Sequence, residues 1–131
     1  EIIGFDARPD YDIAILKIKA DRTFPTLPLT PEDDDKVFVG KELLLIGHPY
    51  LYKYTASKAT ISKLKLDDTP RFIQVNSSIL HGNSGSPLIE ERGFAVGVKY
   101  AAMRDSDTQG FATPSWMIRE VLDLVLSRTR K

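Results

Sequence analysis

Residues 73–89 read IQVNSSILHGNSGSPLI, and the hexapeptide Gly82-Asn83-Ser84-Gly85-Ser86-Pro87 at their centre constrains this chain more than any other stretch. Strand-forming runs lie on both sides, residues 71–75 before it and Leu88 and Ile89 after it, so the hexapeptide connects two strands. Gly82 lacks a Cβ, which lets its peptide turn until its own N–H and that of Ser84 converge on one point. Two such donors stabilise the oxyanion that develops when a hydroxyl attacks a carbonyl. Gly85 removes bulk beside the Ser84 hydroxyl, and Pro87 opens the next strand where no ladder donor is required. Ser84 is therefore the candidate nucleophile of a hydrolase, with Gly82, Asn83 and Ser84 as the candidate oxyanion hole. Asn, Gly and Ser are turn formers in any protein, so the hexapeptide read alone is also compatible with an ordinary hairpin turn.

The rest of the chain decides what surrounds that loop. At 131 residues with 42% hydrophobic and 27% charged residues, it is long enough for one domain with a real core. Lys+Arg and Asp+Glu number 18 each, so no net charge marks it for nucleic acid or an anionic membrane. Without cysteine it has neither a disulfide framework nor a thiolate metal site, and no cofactor or metal is expected. The longest apolar run, residues 43–46, is far too short to span a bilayer. The sequence opens at Glu1, which is expected to be a boundary left by processing or truncation.

In chain order, residues 1–5 suit a short strand and Arg8-Pro9-Asp10 a turn. Residues 12–18, DIAILKI, are mostly apolar and β-branched, the composition of a strand buried on both faces, with Asp12 at its head. On composition, an acid there is a solvated end or an Asx-type cap. Residues 21–39 hold Pro25, Pro28 and Pro31 and the acidic run 32–35, the makings of a solvated connector. Residues 42–46 read as a buried strand, and 52–66 as two strands or one long bent one. Residues 90–93 make a hairpin turn and 94–100 the returning strand. Residues 105–109 are a polar loop, and 110–115 lead into a helix that Thr113 or Ser115 caps, with Pro114 in its first turn. Met117, Ile118, Val121, Leu122, Leu124 and Val125 form its apolar stripe.

Three segments of this chain, DIAILKI, IQVNSSILHGNSGSPLI and GFATPSWMIREVL, resemble in order the motifs of trypsin-like serine proteases of the HtrA/Deg type. Ser86 stands where that type carries a second glycine, and the GNSGSP variant resembles the glutamyl endopeptidases of the same fold. The resemblance implies an all-β, trypsin-like double β-barrel with its second barrel complete, its first truncated, and a C-terminal α-helix. Residues 1–30 would be the end of the first barrel, 31–41 the connector, 42–113 the second barrel and 114–131 the helix. It makes Asp12 the acid that orients the catalytic histidine, and favours that role over the cap; Asp10 fits the motif less well. It places Ser78, Ile79, Leu80, Val98, Lys99, Tyr100, Ala101, Gly110 and Phe111 around the substrate, with 100–102 offering strand-like backbone to an extended peptide.

A serine hydroxyl needs a proton acceptor within hydrogen-bond reach, and only His48 and His81 are present. Neither matches the family's histidine, which precedes the aspartate in sequence; the segment carrying it is expected to lie outside this chain. A truncated first barrel would leave Ile2, Ile13, Ile15 and Leu16 to be covered by another copy, by an N-terminal piece, or by a rearranged N-terminal segment. With no carboxylate at Ser78, strict Lys/Arg specificity is disfavoured. Lys99 stands where glutamyl endopeptidases carry a histidine, which raises an acidic preference against the plainer reading of an exposed strand lysine. Two functions are therefore in view: a serine endopeptidase acting on polypeptides, and a catalytically silent module of the same fold that binds extended peptides or partner proteins.

Overall fold

The computed structural model describes residues 1–6, 8, 11–48, 54–64, 72–77, 83–102 and 108–130. Strands β1 (Ile2–Asp6) and β2 (Ile13–Leu16) pair antiparallel as a two-stranded sheet. Six further strands follow: β3 (Glu42–Gly47), β4 (Thr55–Lys63), β5 (Ile73–Ser77), β6 (Pro87–Ile89), β7 (Ala95–Ala102) and β8 (Gln109–Pro114). They close into an antiparallel barrel in the order β3-β4-β5-β8-β7-β6, and helix α1 (Ser115–Thr129) ends the chain. Pairing of Leu44 with Ile89 and Leu45 with Leu88 seals the last gap, so none of the six strands is an open edge.

Period-two alternation fills this barrel. Leu43 and Leu45 of β3, Ala59 and Ile61 of β4, and Ile73 and Val75 of β5 point inward to meet Leu88, Val96 and Ala112. Leu44, between two buried leucines, stays 40% exposed, as a pleated strand requires. Each fully buried side chain such as Leu45, Ile61 or Leu88 contributes about 1.5–3 kcal/mol by leaving water.

A second apolar cluster holds the N-terminal hairpin. Met117, Val121 and Val125, four residues apart on α1, are buried with Tyr11 against Ile3, Ile13 and Ile15. Leu124 is at the flank of that stripe, beside Gly4 and Phe5, and is 39% exposed rather than part of the core. β2 is likewise not buried on both faces. Ile13 and Ile15 are half-buried under α1, while Ala14 and Leu16 on its other face are exposed.

Two local expectations are corrected, and a third is narrowed to one of its alternatives. The residues expected to lead directly into the helix form β8, which extends the barrel through pairing with β5 and β7. The helix has no side-chain cap: Pro114 is the N-cap, in extended conformation, and the Ser115 hydroxyl donates instead to the Ala95 carbonyl at 2.5 Å. The segment 52–66 yields one strand, β4, with a register irregularity near Ile61 and Lys63; Tyr52 and Leu66 lie outside the described residues.

The connector is tied down rather than simply solvated. The Thr30 N–H donates to the Ala95 carbonyl, the Ala95 N–H to the Pro28 carbonyl, and the Arg119 guanidinium to the Leu29 carbonyl. Within its acidic run, Asp34 pairs with Arg92 at 2.9 Å, and Arg92 pairs in turn with the buried Glu90 at 3.1 Å. The Lys36 N–H and then the Arg92 guanidinium hold Asp34 below the usual carboxylate range. Burial alone would raise Glu90, but hydrogen bonds from Arg92 and Phe94 outweigh it and leave this carboxyl lowered too.

A carboxylate with a lowered folded pKa stabilises the fold above its unfolded value and loses that contribution as pH falls through the folded one. The ordinary values here are 3.8 and 4.5, so the loss begins below about pH 4.5. Arg92→Ala is expected to lower stability at neutral pH and to flatten its decline in acid. Urea unfolding followed from about pH 6 to 3 checks this; equal acid slopes in the two proteins would contradict it.

Candidate active site

The loop between β5 and β6 is described from Asn83 onward. The Ser86 N–H donates to the Asn83 carbonyl at 3.1 Å, which closes a turn around Ser84 and Gly85. Gly85 takes φ +86°, a conformation that costs a residue with a Cβ. Apart from its two chain neighbours, no described atom lies within 4 Å of where its Cβ would stand, so the backbone angle is what calls for glycine there.

Two main-chain hydrogen bonds fasten this turn to β7: Gly85 N–H to the Lys99 carbonyl at 2.7 Å, and Lys99 N–H to the Ser86 carbonyl at 3.0 Å. Ser84 is exposed, and its hydroxyl donates to the Tyr100 carbonyl at 3.4 Å. Among the described residues no acceptor takes its N–H. Asn83 is 2% exposed, with its Oδ1 buried and unpartnered among the described residues. It packs against Gly47 at the end of β3, where a Cβ would stand 2.3 Å from Asn83 Oδ1 and 2.5 Å from Ser86 Oγ.

A cleft of about 420 Å³ opens between this turn and the N-terminal hairpin. Asp12 and residues 13–16 of the hairpin line it together with Ser84 and Gly85 of the turn and with Val98, Lys99, Tyr100, Thr113 and Ile118. The exposed carboxylate of Asp12 and the exposed hydroxyl of Ser84 thus line one cavity, although 71 residues separate them in sequence.

Of the expected substrate residues, Val98, Lys99 and Tyr100 line the cleft. Ala101, Gly110 and Phe111 do not; the Phe111 ring packs on Tyr100 and Phe72 instead. Ser78, Ile79, Leu80, His81 and Gly82 lie outside the described residues, as do Pro9 and Asp10. His48 stands apart from the cleft: it meets Tyr54 edge-on and accepts that residue's N–H at Nδ1. Lys99 is not an exposed strand lysine but is 2% exposed, and burial lowers its pKa. Thr113 and Ile118, expected as helix cap and helix stripe, are cleft residues that helical periodicity could not assign to a site.

A sequence model of the trypsin-like peptidase domain matches residues 1–98. The chain belongs to this family. Its similarity to curated proteins is of the HtrA type. It is 35% identical over 136 residues to a probable periplasmic serine endoprotease DegP-like of Chlamydia trachomatis, covering 97% of this chain and 26% of that protein. It is 31% identical to the serine endoprotease DegS of Escherichia coli K12, covering 95% of this chain and 37% of DegS. The chain therefore spans 26% to 37% of the length of these relatives. Among solved structures, the HtrA-type protease AlgW with decapeptide superposes with a TM-score of 0.79 at 29% identity, over 97% of this chain and 40% of AlgW. A serine endoprotease from Yersinia pestis gives 0.80 at 28% identity, over 97% and 44%. The barrel with its closing helix is thus the trypsin-like, HtrA-type fold.

Gly47 links the β3 end to the serine turn through contacts too tight for a methyl group. Gly47→Ala is expected to cost about 1–3 kcal/mol, the range for overpacking, in denaturant unfolding. It should also speed amide exchange of Gly85 and Ser86 more than that of β5; a neutral substitution with unchanged exchange would contradict the contact.

Proposed function

We propose that this chain is the catalytic region of an HtrA-type serine endopeptidase, with Ser84 as nucleophile and Asp12 as the acid that orients its histidine. The observation that carries this reading is the shared cleft, lined by both Ser84 and Asp12, with a family match extending over both. Ser84 Oγ would attack the carbonyl of the cut bond and form an acyl-enzyme that water then hydrolyses. The negative charge on the attacked oxygen would fall to main-chain N–H groups of Gly82, Asn83 and Ser84; the unclaimed Ser84 N–H supports this assignment. The proton acceptor would be a histidine supplied by sequence outside these 131 residues: His48 is not among the cleft residues, and neither it nor His81 matches the position of the family's histidine, which precedes the aspartate.

An extended polypeptide would lie along residues 100–102, in strand geometry. By the resemblance, Ser78, Ile79, Leu80, Val98, Lys99, Gly110 and Phe111 would shape the site for its side chains. Residues 1–30 would belong to a first barrel whose other strands cover Ile2, Phe5, Leu16 and Ile18, each now more than 60% exposed. A two-stranded sheet is marginal by itself, which favours such a complement.

The experiment is labelling of the full-length protein by a fluorophosphonate, with mass spectrometry to find the modified residue. Labelling at Ser84, its loss in Ser84→Ala, and a fall in kcat/KM on the order of 10⁴-fold in Asp12→Asn are expected. Absence of labelling under all conditions would favour the silent peptide-binding module instead.

A further inference from the structure

Among the described residues no hydrogen bond or ion pair holds the Asp12 carboxylate, so its direction is set by the backbone on either side of it. Burial alternates through this stretch: Tyr11, Ile13 and Ile15 turn toward α1, while Asp12 and Ala14 are exposed. A small roll of the segment about its own axis would therefore swing Asp12 relative to Ser84. The apolar contacts of Ile13 and Ile15 with α1 resist separation, but the hydrophobic effect has no direction and does little against such a roll.

Tyr11 supplies the direction. Its ring is buried, its N–H donates to the Arg8 carbonyl at 2.9 Å, and its hydroxyl donates to Glu120 Oε2 of α1 at 3.0 Å. The other oxygen of the same carboxylate, Oε1, accepts from Arg8 Nη2 at 3.3 Å. Arg8 is itself clamped: its Nε donates to Asp6 Oδ1 and Oδ2 at 2.9 and 3.0 Å, its Nη2 also donates to Oδ2, and its Cζ lies 3.6 Å from the centre of the Tyr11 ring. Asp6 stands opposite Ile13 in the β1–β2 ladder. The four side chains thus close a ring that starts across from Ile13, crosses to α1 and returns to the residue before Asp12. With the Arg8 and Glu120 side chains each 47% exposed, their ion pair adds little stability. What the ring fixes is geometry, through a charge-assisted hydrogen bond at a buried tyrosine.

We infer that Tyr11 and Glu120 are positioning residues, which hold the backbone from which Asp12 enters the cleft and act on the reaction only through that carboxylate. The inference rests on the endopeptidase reading above and deepens it. Small displacements of a catalytic group are costly: a shift of about 1 Å can slow a reaction on the order of 100-fold. Loss of the Tyr11 hydroxyl or of the Glu120 carboxylate would permit the roll while leaving Ser84, its turn and the apolar cluster in place.

The test measures the rate at which a generic fluorophosphonate labels Ser84 in the full-length protein. Tyr11→Phe and Glu120→Ala are each expected to slow labelling on the order of 10- to 100-fold. Glu120→Gln keeps an oxygen acceptor for the tyrosine and loses only the screened ion pair, so it is expected to restore most of the rate lost in Glu120→Ala. In an Asp12→Ala background, Tyr11→Phe is expected to change the rate by less than about twofold, since no carboxylate is left to position. The two Glu120 variants alter a half-exposed helix residue and carry the test even where Tyr11→Phe fails to fold. Labelling slowed by Asp12→Ala but not by Tyr11→Phe or Glu120→Ala would overturn the inference and leave the endopeptidase reading standing. An equal loss from Tyr11→Phe with and without Asp12, or no recovery in Glu120→Gln, would also overturn it, because a general weakening of the hairpin acts in either background. Absence of labelling in the unaltered protein would remove the endopeptidase reading and this inference together.

Discussion

The candidate site depends on a pair of main-chain hydrogen bonds, from Gly85 N–H to Lys99 O and from Lys99 N–H to Ser86 O. Each is worth about 1 kcal/mol net, but together they continue the β6–β7 ladder past Pro87, which already pairs with Val98. The serine turn is therefore an extension of the barrel wall and not an independent loop. Its position descends from the barrel interior, where Leu88 and Val96 hold β6 and β7 in register against Leu45 and Ile73. The same register brings Tyr100 O to the serine hydroxyl.

The facing wall has a different origin. Asp12 is carried by a hairpin that lies outside the barrel and is held by Tyr11, Ile13 and Ile15 packing on Met117, Val121 and Val125. The C-terminal helix is thus what fixes the carboxylate, while the barrel fixes the hydroxyl. The cleft is the gap between those two clusters. Beside the serine turn, Asn83 Oδ1 is buried against Gly47 without a partner among the described residues. Buried polar groups are paired in most of a protein, so this atom is an exception next to an exposed serine.

Much of this was legible in the sequence, for physical reasons. Alternation in 42–46 and the Gly-Pro bracketing of Ser84 constrain the backbone locally, and local constraints are what a sequence displays. That Asp12 shares a cleft with Ser84 could be expected only through resemblance, because an aspartate heading a strand looks the same in sequence whether it caps a turn or lines a cavity. Residues 109–114 were hidden for the opposite reason: GFATP has weak alternation, and it becomes a strand through ladders to β5 and β7. The state of Lys99 was hidden as well, since strand lysines are usually solvated and only the barrel's closure encloses this one. Asp34 reads as part of an acidic run, and its bond to Arg92 depends on how the connector returns over the β6–β7 turn.

The central claim is that the residues at positions 12 and 84 face each other across one cleft. The chain contains no cysteine, so a double variant with cysteine at both positions would carry the pair as its only thiols. Treatment of the folded double variant with a short bis-thiol cross-linker should give an intramolecular link in high yield that is lost in denaturant. Cross-linking no faster in the folded chain than in the denatured one would place the two groups on different surfaces and contradict the account.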